Sequence, residues 1–219
     1  MSEYVPTGGE EKKLWDKTTA IFEELFNDLK SQNVLRLGTL QMDRERLLKI
    51  WNNSDEFGKA RNTIFKILGS KQEAEEFSKK TGLSEETVVY TFLTQLISLI
   101  LIEYESIFKT SLLFFLEEDK GIRRNMTLTQ LLIAIEKISP VAGSKVRTLV
   151  DTELRNSLAH GIFWFEAGGK IFLAKDSYLQ EVKQMTLADF MIESKKVNVI
   201  SHALVHTLGN NIREGFFKL

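Results

Sequence analysis

The chain has 219 residues, of which 43% are hydrophobic and 27% charged, an ordinary balance for a globular protein with one buried core. Twenty-nine basic and thirty acidic residues give a net charge of -1, which excludes a global positive field that would draw the whole chain onto nucleic acid. The absence of cysteine excludes disulfides, thiolate metal sites and cysteine nucleophiles.

The start of the chain and its length predict the compartment and the domain organisation. Residues 1–6 lack the charged and apolar regions of a signal peptide, so we expect a cytoplasmic protein. We expect a single domain over 1–219, in which residues 1–81 form an N-terminal helical extension and residues 85–219 form the core.

Apolar residues spaced three and four apart, with only two prolines in the chain, predict an all-α fold. The predicted helices run over 10–35, 41–51, 55–69, 71–81, 85–119, 127–138, 142–160 and 187–216. Polar cap residues followed three positions later by an acidic or amide side chain predict four helix starts. These pairs are Thr7 with Glu10, Ser70 with Glu73, Thr127 with Gln130, and Thr186 with Asp189.

The most apolar stretch, residues 88–116, is long enough to raise the question of a membrane span. Polar and charged residues interrupt it at Gln95, Glu103, Glu105 and Lys109. A charge at the centre of a bilayer would cost about 3 kcal/mol. We therefore expect a buried central helix and no membrane. A buried Glu103 carboxylate would need a partner, for which Arg155 is one candidate, but packing or a solvent-exposed edge of the helix is favoured.

A β-hairpin is predicted between the last two helices. Residues 162–165 and 170–173 are rich in aromatic and β-branched side chains, and they flank the sequence Ala-Gly-Gly. Such runs around a glycine turn are typical of a hairpin. The hairpin, over 162–173, would be a small insertion before the last helix.

The predicted helix over 142–160 carries the candidate functional residues. An apolar stripe that is expected to face the core recurs every four residues, at Val146, Val150, Leu154 and Leu158. Measured from this stripe, a rotation of about 100° per residue puts Arg155 at about 100°, Asn156 at about 200° and His160 at about 240°. Asn156 and His160 are thus neighbours one turn apart, whereas Arg155 must use its long side chain, or a second subunit, to join them.

These residue types suit phosphodiester chemistry. A guanidinium binds a phosphate through paired donors, and an imidazole transfers protons near neutral pH. The combination predicts RNA cleavage without a metal, in which the 2′-OH attacks its own phosphate. His160 would act as acid or base, Arg155 would offset developing charge, and Asn156 would position the phosphate or a ribose hydroxyl.

The segment 155–160, Arg-Asn-Ser-Leu-Ala-His, resembles the HEPN pattern of an arginine, a polar residue, a short spacer and a histidine. The match covers residues 154–161, and the predicted helices before and after it fit the family. The resemblance implies an HEPN-like helical bundle that forms a homodimer, with two motifs facing each other across a composite ribonuclease site. It also implies a toxin–antitoxin or antiviral defence role, with an antitoxin as partner. The hairpin 162–173 resembles an insertion that some members carry.

Two other patterns have competing interpretations. Residues 77–88 resemble a helix-turn-helix corner, with Gly82 at the turn and Ser84 capping the next helix. Glutamates and an apolar run follow, so a plain helical corner is favoured over DNA binding.

His202 and His206 have the i, i+4 spacing of zinc ligands. No third ligand is near in sequence, so packed histidines are favoured, and we expect no metal and no cofactor.

The sequence therefore leads to one expectation and two alternatives. We expect a homodimeric endoribonuclease that binds and cleaves single-stranded RNA, with Arg155, Asn156 and His160 as its catalytic residues. The first alternative is a non-catalytic HEPN-like protein that binds RNA or a nucleotide. The second is a helical interaction or transcription-regulatory module.

Overall fold

The structure is a computed structural model that describes residues 6, 8–35, 40–116, 121–166, 169–175 and 182–216. It is mostly helical with one small antiparallel sheet. Within these residues the helices are α1 (Gly9–Ser31), α2 (Leu40–Gly69), α3 (Lys71–Thr81), α4 (Glu85–Ile102), α5 (Thr110–Phe115), α6 (Leu128–Ile138), α7 (Pro140–Leu149), α8 (Thr152–Ala159) and α9 (Leu187–Phe216). The strands are β1 (Phe163–Glu166), β2 (Lys170–Leu173) and β3 (Lys183–Thr186).

Capping residues begin several helices where the sequence predicts. The backbone N–H of Glu73 donates to the Ser70 hydroxyl at 3.4 Å at the start of α3. At the start of α6, the Gln130 N–H donates to Thr127 Oγ1 at 3.2 Å, and the Thr127 N–H donates to Gln130 Oε1 at 2.9 Å. This reciprocal pair satisfies two backbone donors that a helix start leaves unpaired. Thr7, the predicted cap of α1, lies outside the described residues.

Helix α4 continues into α5 through a π-helical segment, Glu103–Lys109. Among the described residues, Glu85–Phe115 is the one helix that is long and apolar enough to cross a membrane. Half of the residues in its most apolar window are buried inside the fold, as in a core helix. A single helix of this kind is weak evidence for a membrane span, because the core helix of a soluble protein has the same length and composition.

Two of the predicted helix boundaries are wrong. The predicted helices over 41–51 and 55–69 form one continuous helix, α2, because residues 52–54 hold no proline or glycine that would end it. Conversely, the predicted helix over 142–160 divides into α7 and α8. Val150 ends α7 with an extended backbone, φ -102° and ψ 115°, although its side chain stays buried as the apolar stripe predicts.

The predicted hairpin over 162–173 is confirmed. Strands β1 and β2 pair antiparallel, with Trp164 opposite Phe172 and Phe165 opposite Ile171. Successive side chains of each strand therefore alternate between the two faces of the sheet. Residues 167–168 of the predicted turn lie outside the described residues.

A third strand, β3, extends the hairpin and was not predicted. It pairs antiparallel with β2, with Met185 opposite Ile171.

Strand β3 leads directly into α9 through a reciprocal cap. The Thr186 hydroxyl donates to Asp189 Oδ2 at 2.7 Å, and the Asp189 N–H donates to Thr186 Oγ1 at 3.1 Å. The predicted start of the last helix is thus confirmed.

The chain divides into two compact units. The first comprises the described residues of Met1–Ser54, Glu103–Thr152 and Lys196–Leu219, and the second those of Asp55–Ile102 and Glu153–Lys195. Each unit has its own buried apolar side chains. Those of the first include Phe22, Phe26, Phe108, Leu131 and Leu204, and those of the second include Ile64, Val88, Leu96, Leu154 and Phe190. The candidate residues Arg155, Asn156 and His160 belong to the second unit, as does the sheet.

Candidate functional site

Helix α8 carries the candidate residues and ends in a cap that depends on glycine. Gly161 has a φ of 66°, in the left-handed region that costs glycine little and other residues more. The Gly161 N–H donates to the Leu158 carbonyl at 3.3 Å, and the Ile162 N–H donates to the Ser157 carbonyl at 3.0 Å. These two bonds form a Schellman motif. His160 is therefore the C-cap residue of α8, and it is exposed.

The buried side of α8 joins the helix to the sheet of the same unit. Leu154 and Leu158 are buried, as the apolar stripe predicts. The Ser157 hydroxyl donates to the Ala174 carbonyl at 2.7 Å, and the Ala174 N–H donates to the Ile162 carbonyl at 2.9 Å. These bonds attach the end of α8 to the ends of β1 and β2. The candidate residues are thus held by regular structure, which positions side chains more accurately than a loop does.

The structure brings Arg155 and Asn156 together. Nη1 of Arg155 donates to Oδ1 of Asn156 at 2.8 Å, and both side chains are half-buried. Arg155 thus reaches Asn156, its neighbour on the same helix, with its own long side chain. The His160 N–H donates to the Asn156 carbonyl at 3.0 Å, so the histidine follows the amide by one turn.

This arrangement has the chemical groups that a phosphodiester requires. A planar guanidinium offers paired donors to phosphate oxygens and keeps its charge throughout the physiological range. The bond to Asn156 fixes one edge of the Arg155 guanidinium. Imidazole is the side chain most often used for proton transfer in catalysis, and that of His160 is open to solvent.

His202 and His206 have separate surroundings. His202 is buried, with Nδ1 at 2.9 Å from the Asn198 carbonyl oxygen. The ring of His206 lies 5.5 Å from that of Trp15, and its Nε2 is 3.1 Å from Nδ2 of Asn210. These are the contacts of packed, hydrogen-bonded histidines, the favoured interpretation. Within the described ranges, no group of three or more histidine, aspartate or glutamate side chains is arranged to hold a metal ion.

The helical corner around Gly82 leaves Leu83 and Tyr90 exposed and buries other apolar residues that follow it, such as Val88. Gly82 ends α3 with a φ of 71°, and its N–H donates to the Ser78 carbonyl at 2.8 Å. The Thr87 N–H donates to the Ser84 hydroxyl at 3.2 Å at the start of α4, so the predicted cap is confirmed. Val88 has no exposed surface. The start of α4 therefore packs into its unit, in agreement with a plain corner.

Glu103 has a buried partner in the first unit. It lies in the π-helical segment with 0% exposure, and its Oε1 accepts from Nδ2 of Asn198 at 2.7 Å. The same Nδ2 lies 3.2 Å from Nδ1 of His202, so carboxylate, amide and imidazole form a buried chain. The solvent-exposed edge that the sequence favours for Glu103 is therefore wrong. Asn198 was not among the predicted partners, because the amide lies on a distant helix.

Two further contacts in the second unit were not predicted. Arg61 is 2% exposed, and its Nε donates to the Ser194 hydroxyl at 2.9 Å. The rings of Trp164 and Phe172 stack in parallel, 5.2 Å between centroids and 5° between planes. The position of the hairpin turn in the sequence could have predicted this aromatic pair, because the turn sets the strand register and the register places Trp164 opposite Phe172.

Comparison with known proteins provides no relative from which a function could be transferred. No family model matches the chain, and no curated protein or solved structure matches it significantly. Function is therefore inferred from the residues of this chain.

Proposed function

We propose that this chain is a HEPN-type, metal-independent endoribonuclease that cleaves single-stranded RNA. The observation that carries the proposal is the hydrogen bond of 2.8 Å between Arg155 and Asn156, with His160 exposed one turn further along the same chain. A phosphate-binding group and a proton-transfer group are thereby presented from one short, well-anchored segment.

The reaction needs three contributions from the protein. The RNA 2′-OH loses a proton to a base and attacks the adjacent phosphorus, and the bond from phosphorus to the 5′-oxygen breaks as an acid protonates that oxygen. His160 supplies proton transfer, and Arg155 stabilises the charge that develops on the phosphate oxygens. Asn156 orients the guanidinium through the observed bond. Imidazole and guanidinium suffice for these steps, and DNA lacks the attacking hydroxyl.

The complete site is proposed to form in a homodimer. A two-fold contact is isologous, so it places the motif of one copy against the motif of the other. Two arginines then lie in one cleft, one in each of its two composite sites. This local charge would attract a phosphate backbone although the chain carries a net charge of only -1.

The resemblance of residues 155–160 to the HEPN pattern supports a biological role of the same kind. We place the protein in the cytoplasm as a toxin or defence effector, with RNA as its target and an antitoxin as the partner that restrains it. The charge balance of the whole chain favours a local RNA contact over an extended one.

One observation favours a second candidate, a non-catalytic RNA-binding member of the same family. The Arg155 side chain is half-buried and already bonded to Asn156, an arrangement that also serves binding alone. Cleavage separates the two candidates, because only the nuclease depends on proton transfer by His160.

The test uses the purified full-length protein with single-stranded RNA in the presence of EDTA. We expect RNA products with 2′,3′-cyclic phosphate ends and no cleavage of DNA of the same sequence. His160→Ala should abolish cleavage without changing the circular dichroism spectrum, whereas His206→Ala, a histidine substitution in the other unit, should leave cleavage intact. Wild-type activity in His160→Ala would show that the assignment of the acid or base is wrong. RNA binding without any cleavage would favour the non-catalytic candidate.

A further inference from the structure

The three-stranded sheet turns one face towards the core of its unit and the other towards solvent. On the first face Ile171, Leu173 and Met185 are buried, between 1% and 6% exposed. The opposite face, here called the outer face, consists of two rows of opposed residues. They are Trp164, Phe172 and Gln184 in one row, and Glu166, Lys170 and Thr186 in the other.

Two aromatic rings lie on the outer face, Trp164 on the outer strand β1 and Phe172 on the central strand β2, although the other side chains of the two rows are polar. Gln184 and Lys170 are exposed, and Trp164 and Phe172 are each half-buried. The two rings lie 5° from parallel. Other ring pairs of this unit are inclined instead, such as Phe77 with Phe92 at 76° and Tyr90 with Phe165 at 54°. Each ring thus covers one face of the other, and a planar base is a ligand that extends such a stack.

This aromatic row lies next to the attachment point of α8. Ile162 and Ala174 both form hydrogen bonds with Ser157 of α8. They also bond to each other, which continues the pairing of β1 with β2 by one residue pair. Trp164 follows Ile162 by two residues, which is one pleat repeat of about 7 Å. His160 and Trp164 are four residues apart, so their Cα atoms are at most about 14 Å apart. A few nucleotides of single-stranded RNA can cover that distance.

We infer that the outer face binds a base of single-stranded RNA, stacked on the Trp164–Phe172 pair, beside the scissile phosphate at Arg155 and His160. The inference rests on the proposed function for the identity of the ligand, and adds to it a subsite that neither the motif nor the resemblance assigns. Gln184, next to Phe172 across the sheet, carries amide donors and acceptors that suit the polar edge of a base. Lys170 supplies a cation in the adjacent row for the phosphate backbone.

Charge and geometry favour RNA over a protein partner on this face. The core of a protein interface of the usual size is a fully buried patch depleted of charged residues, whereas the two half-buried rings here have Glu166 and Lys170 in the adjacent row. The nearly neutral chain has no global positive field that would bind RNA by charge alone, so an RNA site on it needs local contacts such as stacking. Base stacking tolerates any sequence and requires an unpaired strand, which agrees with single-stranded RNA as the substrate.

Binding can be measured without cleavage by using a labelled 2′-O-methyl oligouridine, which lacks the attacking hydroxyl. Fluorescence anisotropy with wild-type protein gives its Kd. A matched oligonucleotide with 5,6-dihydrouridine has the same backbone charge but non-planar bases that stack poorly. We expect it to bind about tenfold more weakly than oligouridine. Equal affinity for the two oligonucleotides would overturn the stacking inference without the use of any variant.

Variants of the two rings test the site itself. Trp164→Leu and Phe172→Leu should each raise the Kd for oligouridine about tenfold, whereas Trp164→Phe, which keeps a ring, should stay within about threefold of wild type. Phe165→Leu is the matched control, because it removes a ring from the opposite face of the same strand. If folded Trp164→Leu and Phe172→Leu proteins bind like wild type, the rings serve only to stabilise the sheet.

Cleavage of ordinary RNA, assayed in parallel, separates this inference from the proposed nuclease. Binding that depends on the rings, together with an absence of cleavage, would contradict the nuclease and leave the stacking site in place. Cleavage by His160-containing protein with binding unaffected by the ring variants would contradict the stacking site alone.

Discussion

The hydroxyl of Ser157 donates a hydrogen bond of 2.7 Å to the carbonyl oxygen of Ala174, and both residues are buried. One side chain thereby joins the helix that carries Arg155, Asn156 and His160 to the end of strand β2. Because the carbonyl is shielded from water, the bond cannot be replaced by solvent at no cost. The position of the candidate site on the sheet therefore depends on a residue that takes no part in the proposed chemistry.

Ser157→Ala should destabilise the protein measurably. The substitution leaves the buried Ala174 carbonyl without this donor, which costs about 1–3 kcal/mol in the free energy of unfolding. Urea denaturation measures that free energy. Ser98→Ala is the matched control, because the Ser98 hydroxyl also donates to a backbone carbonyl, that of Thr94, but at an exposed position. The control should change stability by less than about 0.5 kcal/mol. Equal effects of the two substitutions would contradict the role given to Ser157.

Gly161→Ala should weaken the end of α8. At a φ of 66° an alanine costs about 1–2 kcal/mol, although no atom lies within 4 Å of the added Cβ. Gly58→Ala provides the control, since it also meets no atom within 4 Å but lies within helix α2. There alanine should stabilise by about 0.5–1 kcal/mol. Opposite signs in urea denaturation are the expected result, and a stabilised Gly161→Ala protein would be incompatible with the observed cap.

Local signals predicted much of this fold. Cap pairs such as Thr127 with Gln130 act within one turn, so the residues that determine a helix start are adjacent in the sequence. Strand β3 depends instead on pairing with β2 across ten or more residues, and its sequence Lys-Gln-Met-Thr has few aromatic or β-branched residues. The break at Val150 escaped prediction because the buried side chain continues the apolar spacing while the backbone leaves the helix.

In the candidate site, too, relations between residues close in the sequence could be predicted, and those between distant residues could not. The sequence places Asn156 and His160 one turn apart, because helical geometry alone determines that relation. It leaves open whether Arg155 reaches them, since a long side chain has many rotamers and its neighbours decide among them. The attachment of Ser157 to Ala174 and the buried chain from Glu103 to Asn198 join residues far apart in the sequence. No local pattern contains that information.

Acid should remove the contribution that the Asp189 carboxylate, in the cap at the start of α9, makes to the free energy of unfolding. A hydrogen bond from the Thr186 hydroxyl, and a second from its backbone N–H, lower the pKa of Asp189 below its ordinary value of 3.8. A carboxyl with a lowered pKa in the folded state stabilises the protein above its unfolded pKa, and that contribution is lost as the pH falls through the folded pKa. The difference in unfolding free energy between wild type and Asp189→Asn should therefore shrink from neutral pH to below pH 3.8.

Thr186→Val tests the cause of that shift. It removes the hydroxyl donor and leaves the backbone N–H, so the pKa of Asp189 should return part of the way towards its ordinary value. The carboxyl carbon shift of Asp189, followed by NMR across the acid range, reports this directly. An unchanged titration in Thr186→Val would show that the hydroxyl bond is not the main cause.

The last prediction concerns the second copy of the chain. Arg155 and His160 lie five residues apart, which on a regular helix separates them by about 140° around the axis and about 7.5 Å along it. The bond of Arg155 to Asn156 brings the guanidinium towards the amide, and His160 follows at the C-cap. Facing motifs in a symmetric dimer would let the arginine of one copy and the histidine of the other converge on one phosphate.

Mixing two inactive variants distinguishes a shared site from one contained in a single copy. In a heterodimer of Arg155→Ala with His160→Ala, one composite site lacks both residues and the other has both. Equal mixing makes about half of the dimers heterodimers with one active site of two, so about a quarter of wild-type activity should return. A site contained within one copy would show no recovery, because every chain lacks one residue. Light scattering at micromolar concentration should show a dimer, and full activity from a monomer would contradict the composite site even if His160 proves essential for cleavage.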